Sequence, residues 1–141
     1  MLVGDLSQMG QLAARLRDLA EVPSRVARRV SAELGALIED EFDAGADPYG
    51  RAWKELAPAT LAKGRHDPPL TDTSQMRAGV RVAPLQRAGV AITIPHPGGP
   101  HQTGWSGPQG DGPARPILPT GVMPALWREA IQVATEAEVR P

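Results

Sequence analysis

The sequence predicts an α+β fold in which N-terminal helices and a C-terminal helix pack on a small antiparallel β-sheet. Apolar residues recur with helical spacing near both ends of the chain, and they alternate with polar residues in its middle. The helical pattern covers residues 5–20, 24–43 and 124–138, and the alternating pattern covers 79–85 and 89–95. Glycine and proline, 15 of each, crowd between residues 95 and 124, which predicts a long irregular segment.

The first predicted helix covers residues 5–20. Asp5 followed by Gln8 has the spacing of a capping box at its start. Its apolar face consists of Leu6, Met9, Leu12, Ala13, Leu16, Leu19 and Ala20. Because proline lacks an amide hydrogen, Pro23 predicts a boundary, where this helix ends or the next one begins.

The second predicted helix covers residues 24–43, and Gly45 is well placed to end it. Its apolar face runs from Val26 to Phe42, but Glu41 falls inside that face. We expect the Glu41 carboxylate to reach solvent at the helix end or to meet a neighbouring subunit.

For the rest of the chain, the sequence predicts loops, a hairpin and a closing helix. Residues 46–72 are expected to be mostly loop, with short helical turns at 59–63 and 73–78. Residues 79–85 and 89–95 form the predicted hairpin, while 96–112 is too rich in glycine and proline for regular structure. Ile117 and Leu118 suit an edge strand, and Pro124 suits the first turn of the helix at 124–138. We find no repeat and no linker, so residues 1–141 are predicted to form a single domain.

Composition argues against several functional classes. The 141 residues carry a net charge of -1, and arginines cluster only at Arg25, Arg28 and Arg29, so no basic stripe suggests direct, sequence-specific nucleic-acid binding. The chain has no cysteine, which removes disulfides, thiolate zinc sites and cysteine nucleophiles and suits a reducing cytoplasm. No signal peptide or membrane span is expected from the hydropathy pattern.

Three short phrases, in a fixed order, carry most of the remaining information. Residues 47–53 (DPYGRAW) have the chemistry of a turn, after which Trp53 would anchor the loop on the core. Residues 70–76 (LTDTSQM) suit a turn capped by Asp72 or Thr73. The third phrase joins 101–104 (HQTG) to 113–119 (PARPILP).

Arg115 stands out in the third phrase because it lies between two prolines and therefore has a stiff backbone. We expect its guanidinium to act as a fork for a carboxylate on its own chain or on a neighbour.

Catalytic and metal sites are poorly supported by the sequence. His66, His96 and His101 lack the spacing of a ligand set. A triad of Ser106, His101 and Asp111 can be drawn, but no Gly-x-Ser-x-Gly elbow is present. No phosphate loop follows the glycines of 104–112, and the acidic run at 39–43 is best interpreted as a solvated or intersubunit face. We therefore predict no catalytic residue, no metal and no cofactor.

In their order and spacing, the three phrases resemble the Mu-like phage virion morphogenesis family, also called tail completion or tail terminator proteins. That family shows Asp-Pro-x-Gly-x-x-Trp after a long helix, then Leu-x-x-Thr-Gly-x-Leu, then His-Gln-x-Gly and a Pro-Ala-Arg-Pro string. The resemblance covers about residues 24–119. Ser74 replaces the usual glycine of the second phrase, and 97–100 (PGGP) replaces the usual Tyr-Ala before His101, so no strand is expected to run into that histidine.

The resemblance implies a structural virion protein that works by assembly. Identical subunits would close into a ring, expected to be a hexamer, that caps the tail tube and receives the head–tail connector. The protein would be assembled in the host bacterial cytoplasm and reside in the neck of the virion, and the loop at 96–112 would become ordered on assembly. The residues expected to organise structure or interfaces are Trp53, Thr73, His101, Gln102, Gly104 and Arg115.

Two alternatives remain open at the level of sequence. One is another neck component, such as a head–tail adaptor or stopper. The other is a small peptide-binding module that presents the proline-rich loop as a ligand.

Overall fold

The computed structural model describes residues 6–62, 75–86, 88–108 and 110–140. The elements are α1 (Ser7–Ala44), α2 (Pro58–Ala62), α3 (Gln75–Gly79), β1 (Arg81–Pro84), β2 (Val90–Thr93), α4 (Gly98–Thr103), β3 (Trp105–Gly107), β4 (Gly110–Gly112) and α5 (Ala125–Val139). A long N-terminal helix, a C-terminal helix and small antiparallel strand pairs confirm the predicted α+β class.

Helix α1 is one continuous helix of 38 residues with Pro23 inside it, so the prediction of two helices is wrong. A proline removes one amide donor from the helix ladder, but its own backbone angle is compatible with helix. The Arg25 side chain spans the same turns, because its Nη1 lies 3.1 Å from Asp18 Oδ1 and 3.4 Å from the Asp18 carbonyl oxygen. This side chain connects the turn before the proline to the turn after it.

Helix α1 ends where the sequence predicts. Gly45 adopts the left-handed conformation, with φ 62°, and its amide donates to the carbonyl of Phe42. The next amide, of Ala46, donates to the carbonyl of Glu41 at 3.1 Å. These bonds satisfy carbonyls that the end of a helix otherwise leaves without partners.

Helix α5 packs antiparallel to the second half of α1. Glu138, at the end of α5, accepts hydrogen bonds from Arg25 at 3.1 Å and from Arg29 at 2.9 Å. These arginines, Arg29 foremost, hold the pKa of Glu138 below its usual range. Trp127, at the start of α5, meets Glu41 near the end of α1. The predicted closing helix is therefore confirmed.

The core lies between the second half of α1, α5 and the hairpin β1–β2. The hairpin is confirmed, with Arg81 opposite Thr93 and Pro84 opposite Val90, although its strands are shorter than predicted. The buried members of the core are Val30, Leu34, Ile38, Phe42, Trp53, Met76, Ile117, Trp127 and Ala134.

The segment 96–112 contains regular structure, so the prediction of an irregular loop is wrong. Helix α4 occupies its first half, and the antiparallel pair β3–β4 occupies its second half. Glycine permits this pairing, since a Cβ at Gly112 would lie 2.0 Å from the Trp105 ring that covers it. His101 accordingly lies in a helix, in agreement with the expectation that no strand runs into it.

Ile117 and Leu118 do not form the predicted edge strand. Their amides donate to the side-chain oxygen of Gln102, and the Ile117 side chain is 0% exposed. The burial of Ile117 therefore comes from an irregular segment that is held by side-chain hydrogen bonds.

Candidate functional site

The phrase at 47–53 forms the predicted turn, and buried Asp47 organises it. Asp47 Oδ1 accepts hydrogen bonds from the amides of Tyr49 and Arg51, both at 2.9 Å, and Oδ2 accepts one from Arg51 Nε at 2.9 Å. Gly50 supplies the positive φ, 81°, that the turn requires. The turn directs the chain toward Trp53.

Trp53 is buried against the end of α1, as the sequence predicts for an anchor. Its ring meets Phe42 edge-on, with 5.4 Å between the ring centroids. Its Nε1 donates to the carbonyl of Pro116 at 2.8 Å. The first phrase and the third phrase are therefore in direct contact.

Arg115 binds the same loop, but its partners differ from the expected carboxylate. Its Nε donates to the carbonyl of Lys54 at 2.6 Å, and its Nη2 donates to the carbonyl of Glu55 at 3.0 Å. The guanidinium is buried among backbone groups. The two adjacent carbonyl oxygens accept its hydrogen bonds in the way that the two oxygens of a carboxylate would. The arginine thus stabilises the chain after Trp53 within the protein.

Gln102 holds the 113–119 string from the other side. Its Oε1 accepts hydrogen bonds from the amides of Ile117 and Leu118, both at 2.9 Å. Its Nε2 donates to the carbonyl of Leu118 at 2.7 Å. One amide side chain therefore satisfies three backbone groups of an irregular segment.

Gly104 has a backbone conformation that only glycine adopts easily, with φ 80° and ψ 169°. A Cβ at this position would lie 2.9 Å from the carbonyl oxygen of Gly112. The glycine therefore permits the close approach of α4 to the end of β4.

His101 lies beside Arg115 and is partly buried. Its carbonyl accepts the Arg115 amide at 2.6 Å, and its ring meets Trp105 edge-on with centroids 5.2 Å apart. Burial, reinforced by the positive charge of Arg115, lowers the pKa of His101. Nδ1 of this ring is buried and has no hydrogen-bond partner in the described part of the chain. The ring thus acts as a neutral packing group.

We call the group formed by Trp53, His101, Gln102, Gly104 and Arg115 the loop junction. Sequence reasoning named all five residues but did not foresee that they form one contact group. The sixth predicted residue, Thr73, lies outside the described residues.

Tyr49 also stabilises the loops, and sequence reasoning missed its role. Its hydroxyl donates to the carbonyl of Val122 at 2.7 Å and accepts from the amide of Gly121 at 3.0 Å. It therefore connects the first phrase to the segment before α5. A tyrosine within the turn phrase was the available signal, but nothing in the sequence indicated its distant partner.

Glu41 does not reach solvent, so that prediction is wrong, and its burial within its own chain leaves little of it for the alternative, contact with a neighbouring subunit. It is buried, and its Oε1 accepts a hydrogen bond from Trp127 Nε1 at 3.1 Å. Desolvation, with a smaller contribution from the charge of Asp47, raises the pKa of Glu41 to about 8 against the opposing effect of the Trp127 hydrogen bond. The carboxyl group is therefore mainly protonated at neutral pH, which reduces the cost of burying it.

The acidic run at 39–43 is partly neutralised within the chain. Arg77 of α3 pairs with Glu39 at 2.6 Å and with Asp43 at 2.7 Å. The run is therefore less available as an intersubunit face than the sequence suggested.

Ser106, His101 and Asp111 do not form the hydrogen-bonded chain of a catalytic triad in the described structure. Ser106 donates directly to Asp111 across the β3–β4 pair. No cluster of three potential metal ligands occurs within the described ranges, which exclude His66. Among the helices described, none is long and apolar enough to cross a bilayer.

Two rows of apolar side chains remain exposed on two different helices. The α1 stripe, which consists of Leu6, Met9, Leu12, Leu16 and Leu19, is 57 to 70% exposed at each side chain. The α5 stripe consists of Leu126, Ala130, Val133 and Ala137; Leu126 is 61% and Val133 59% exposed, Ala137 is exposed and Ala130 is half-buried. Where the α1 stripe reaches the end of α5, an open groove of about 650 Å³ lies between Leu19, Val22, Pro23 and Val139.

Comparison of the chain with models of protein families, with curated proteins and with solved structures gave no match. The resemblance to tail completion proteins therefore stays a prediction carried by the three phrases.

Proposed function

We propose that this protein is a structural subunit of a tailed phage or phage-derived particle. A ring of its copies caps the end of the tail tube and receives the head–tail connector. Two observations support this function. One is the order of the three phrases in the sequence, and the other is the pair of exposed apolar stripes on separate helices.

Two separate stripes are what a ring subunit needs. A closed ring of identical subunits requires each copy to offer two different, complementary surfaces. Monomeric proteins rarely expose long contiguous rows of large apolar side chains, and such rows usually mark interaction surfaces. The α1 stripe and the α5 stripe lie on different elements of one subunit and can serve as its two surfaces.

The loop junction supports an architectural role for the residues that carry the resemblance. Their polar groups bind backbone atoms of neighbouring loops, as Arg115 and Gln102 do. Such contacts fix the shape of the subunit and present no group to a substrate. Shape is the property that a cap on a tube of fixed diameter depends on.

The peptide-ligand alternative fits the structure less well. The proline-rich string is held from both sides, by Gln102 on Leu118 and by Trp53 on Pro116, and Ile117 is wholly buried. A ligand for another domain would need these side chains and carbonyls to be accessible.

The direct test is deletion of the gene from the phage or prophage that carries it, followed by electron microscopy of the products. We expect filled heads and unjoined tails, with tubes of uneven length because nothing stops their growth. Resupply of the wild-type protein restores joined particles. Tubes of normal length that still fail to join would indicate an adaptor or stopper, and a normal yield of joined particles without the protein would refute the proposal.

A further inference from the structure

The α1 stripe continues the face of α1 that builds the core. Its members recur at the same helical spacing as Val30, Leu34 and Ile38 further along. From Leu6 to Glu21 every residue is exposed except Ala13, which is half-buried. About 20 Å of helix therefore presents a core-like face for which the described part of the chain supplies no cover.

The α5 stripe has a matching form. Leu126, Val133 and the alanines between and beyond them follow a seven-residue spacing on a face of α5 that lies beside the buried face of Trp127 and Ala134. This row is about 17 Å long. Two apolar rows of similar length and helical spacing can interlock side by side.

The charges beside the two stripes are complementary. Arg15 and Arg17 flank the α1 stripe on opposite sides. Arg15 lies in the groove beside Glu138 of its own chain and Asp18 turns toward Arg25, so Arg17 is the charge on the other side of the stripe. Glu129 and Glu136 lie on the exposed flank of the α5 stripe. Glu136 already pairs with Arg140 at 3.2 Å, but both side chains are exposed, and such pairs exchange partners readily.

We propose that the α1 stripe of one copy packs along the α5 stripe of the next copy, with Arg17 facing the flank that carries Glu129 and Glu136. The contact joins two different surfaces, so repeating it from copy to copy either closes a ring or extends a filament. That it closes as a ring on a tail tube rests on the function proposed above. The contact itself belongs to the isolated protein.

The exposed apolar area suits a contact smaller than a standard interface. A side chain of this size and exposure offers on the order of 100 Å² of apolar surface, so the α1 stripe offers about 500 Å² and the α5 stripe, with two such side chains and two alanines, about half of that. A standard interface removes about 800 Å² from each partner, and smaller ones belong to weaker contacts. The stem of Arg17 and neighbouring glutamines add a polar rim to this apolar centre.

The test uses variants that block one stripe each. Leu12→Glu blocks the α1 stripe, and Val133→Glu blocks the α5 stripe. Both side chains are exposed, so each variant is expected to fold, which circular dichroism verifies. Leu85→Glu is the control, because Leu85 is 51% exposed, follows strand β1 and belongs to neither stripe.

Native mass spectrometry and light scattering then distinguish the possible contacts. We expect the wild type and Leu85→Glu to associate, and each blocked variant to be monomeric alone. A mixture of the two blocked variants should stop at a one-to-one dimer, because each copy keeps one intact stripe. Assembly that survives Val133→Glu but not Leu12→Glu would mean that α1 pairs with α1, and would overturn the proposal.

Charge reversal provides a second, independent readout. The variant Arg17→Glu should weaken association about tenfold at low salt. Glu129→Lys with Glu136→Lys in the partner copy should restore it. Failure of this rescue, or a wild type that stays monomeric at its highest soluble concentration, overturns the proposal. If the contact forms but tails still join heads without the protein, the proposed function fails and the contact stands.

Discussion

Single polar side chains hold the irregular segments of this protein, and Gln102 is the clearest case. It satisfies two amides and one carbonyl of the segment that carries the buried Ile117. Loops without a ladder of their own depend on such partners, because a buried backbone group without a hydrogen bond is costly.

We expect Gln102→Ala to lower the free energy of unfolding by about 2–3 kcal/mol, since it leaves several backbone groups without partners. Urea denaturation measures the change. Gln132→Ala is the control: Gln132 is exposed and its amide donates to Glu136 at 2.9 Å on the same helix, so a change within about 0.5 kcal/mol is expected there. Equal effects of the two substitutions would contradict the role given to Gln102.

Glu41 makes the stability of the fold depend on pH. Its pKa is raised from 4.5 to about 8, mainly by burial. Between these values the unfolded chain has released the proton while the folded protein still binds it. The contribution of Glu41 to the free energy of unfolding therefore falls as the pH rises from about 4.5 to about 8, and it levels off above that.

The comparison with Glu41→Gln isolates this effect, because glutamine has the same shape and does not titrate. We expect the stability of the wild type relative to the variant to decline across that pH window in denaturation experiments. Trp127→Phe removes the hydrogen bond that lowers the pKa and should extend the decline to higher pH. Parallel pH profiles for wild type and Glu41→Gln would show that the Glu41 carboxyl is not buried as described.

At the scale of residues, the sequence identified which side chains matter better than it identified their partners. The stiff backbone of Arg115 and the turn chemistry around Asp47 are local properties that a sequence displays. That Arg115 would meet the carbonyls of Lys54 and Glu55, some sixty positions away, depends on tertiary packing. The same reason explains why Glu41 was expected at a surface.

At the scale of elements, predictions succeeded where hydrophobic spacing was regular and failed where local signals competed with context. The hydrophobic spacing correctly predicted helix α5 and the hairpin β1–β2. Pro23 suggested a boundary, yet one missing hydrogen bond did not break a helix whose neighbouring turns are intact. The glycines of 96–112 suggested disorder, yet they make room for Trp105 and for the turn at Gly104.

The strand pair β3–β4 depends on the conformation of Gly104, which gives a test at this scale. We expect Gly104→Ala to destabilise the fold by about 2 kcal/mol or more, because alanine is strained at this φ and ψ and its Cβ would meet the Gly112 carbonyl. Gly107→Ala, in the same strand pair, has open space around the new methyl group and should change stability little. Thermal unfolding of both variants measures the difference, and similar melting temperatures would contradict this account.

At the scale of the whole molecule, the protein combines a well-packed body with a helix that extends an apolar face beyond it. The body comprises the second half of α1, α5, the β1–β2 hairpin and the loop junction. Apart from the half-buried Ala13, the side chains of the extension are exposed within the described residues. This division between a closed body and an uncovered face is the main structural reason to regard the chain as one subunit of an assembly.

Cryo-electron microscopy of the head-proximal end of the tail tests the central claim most directly. Particles carrying the wild-type protein should show one closed ring at that end, into which copies of this subunit fit with α1 of each copy against α5 of the next. A tail end that lacks such a ring, in particles that contain the protein elsewhere or not at all, would contradict it.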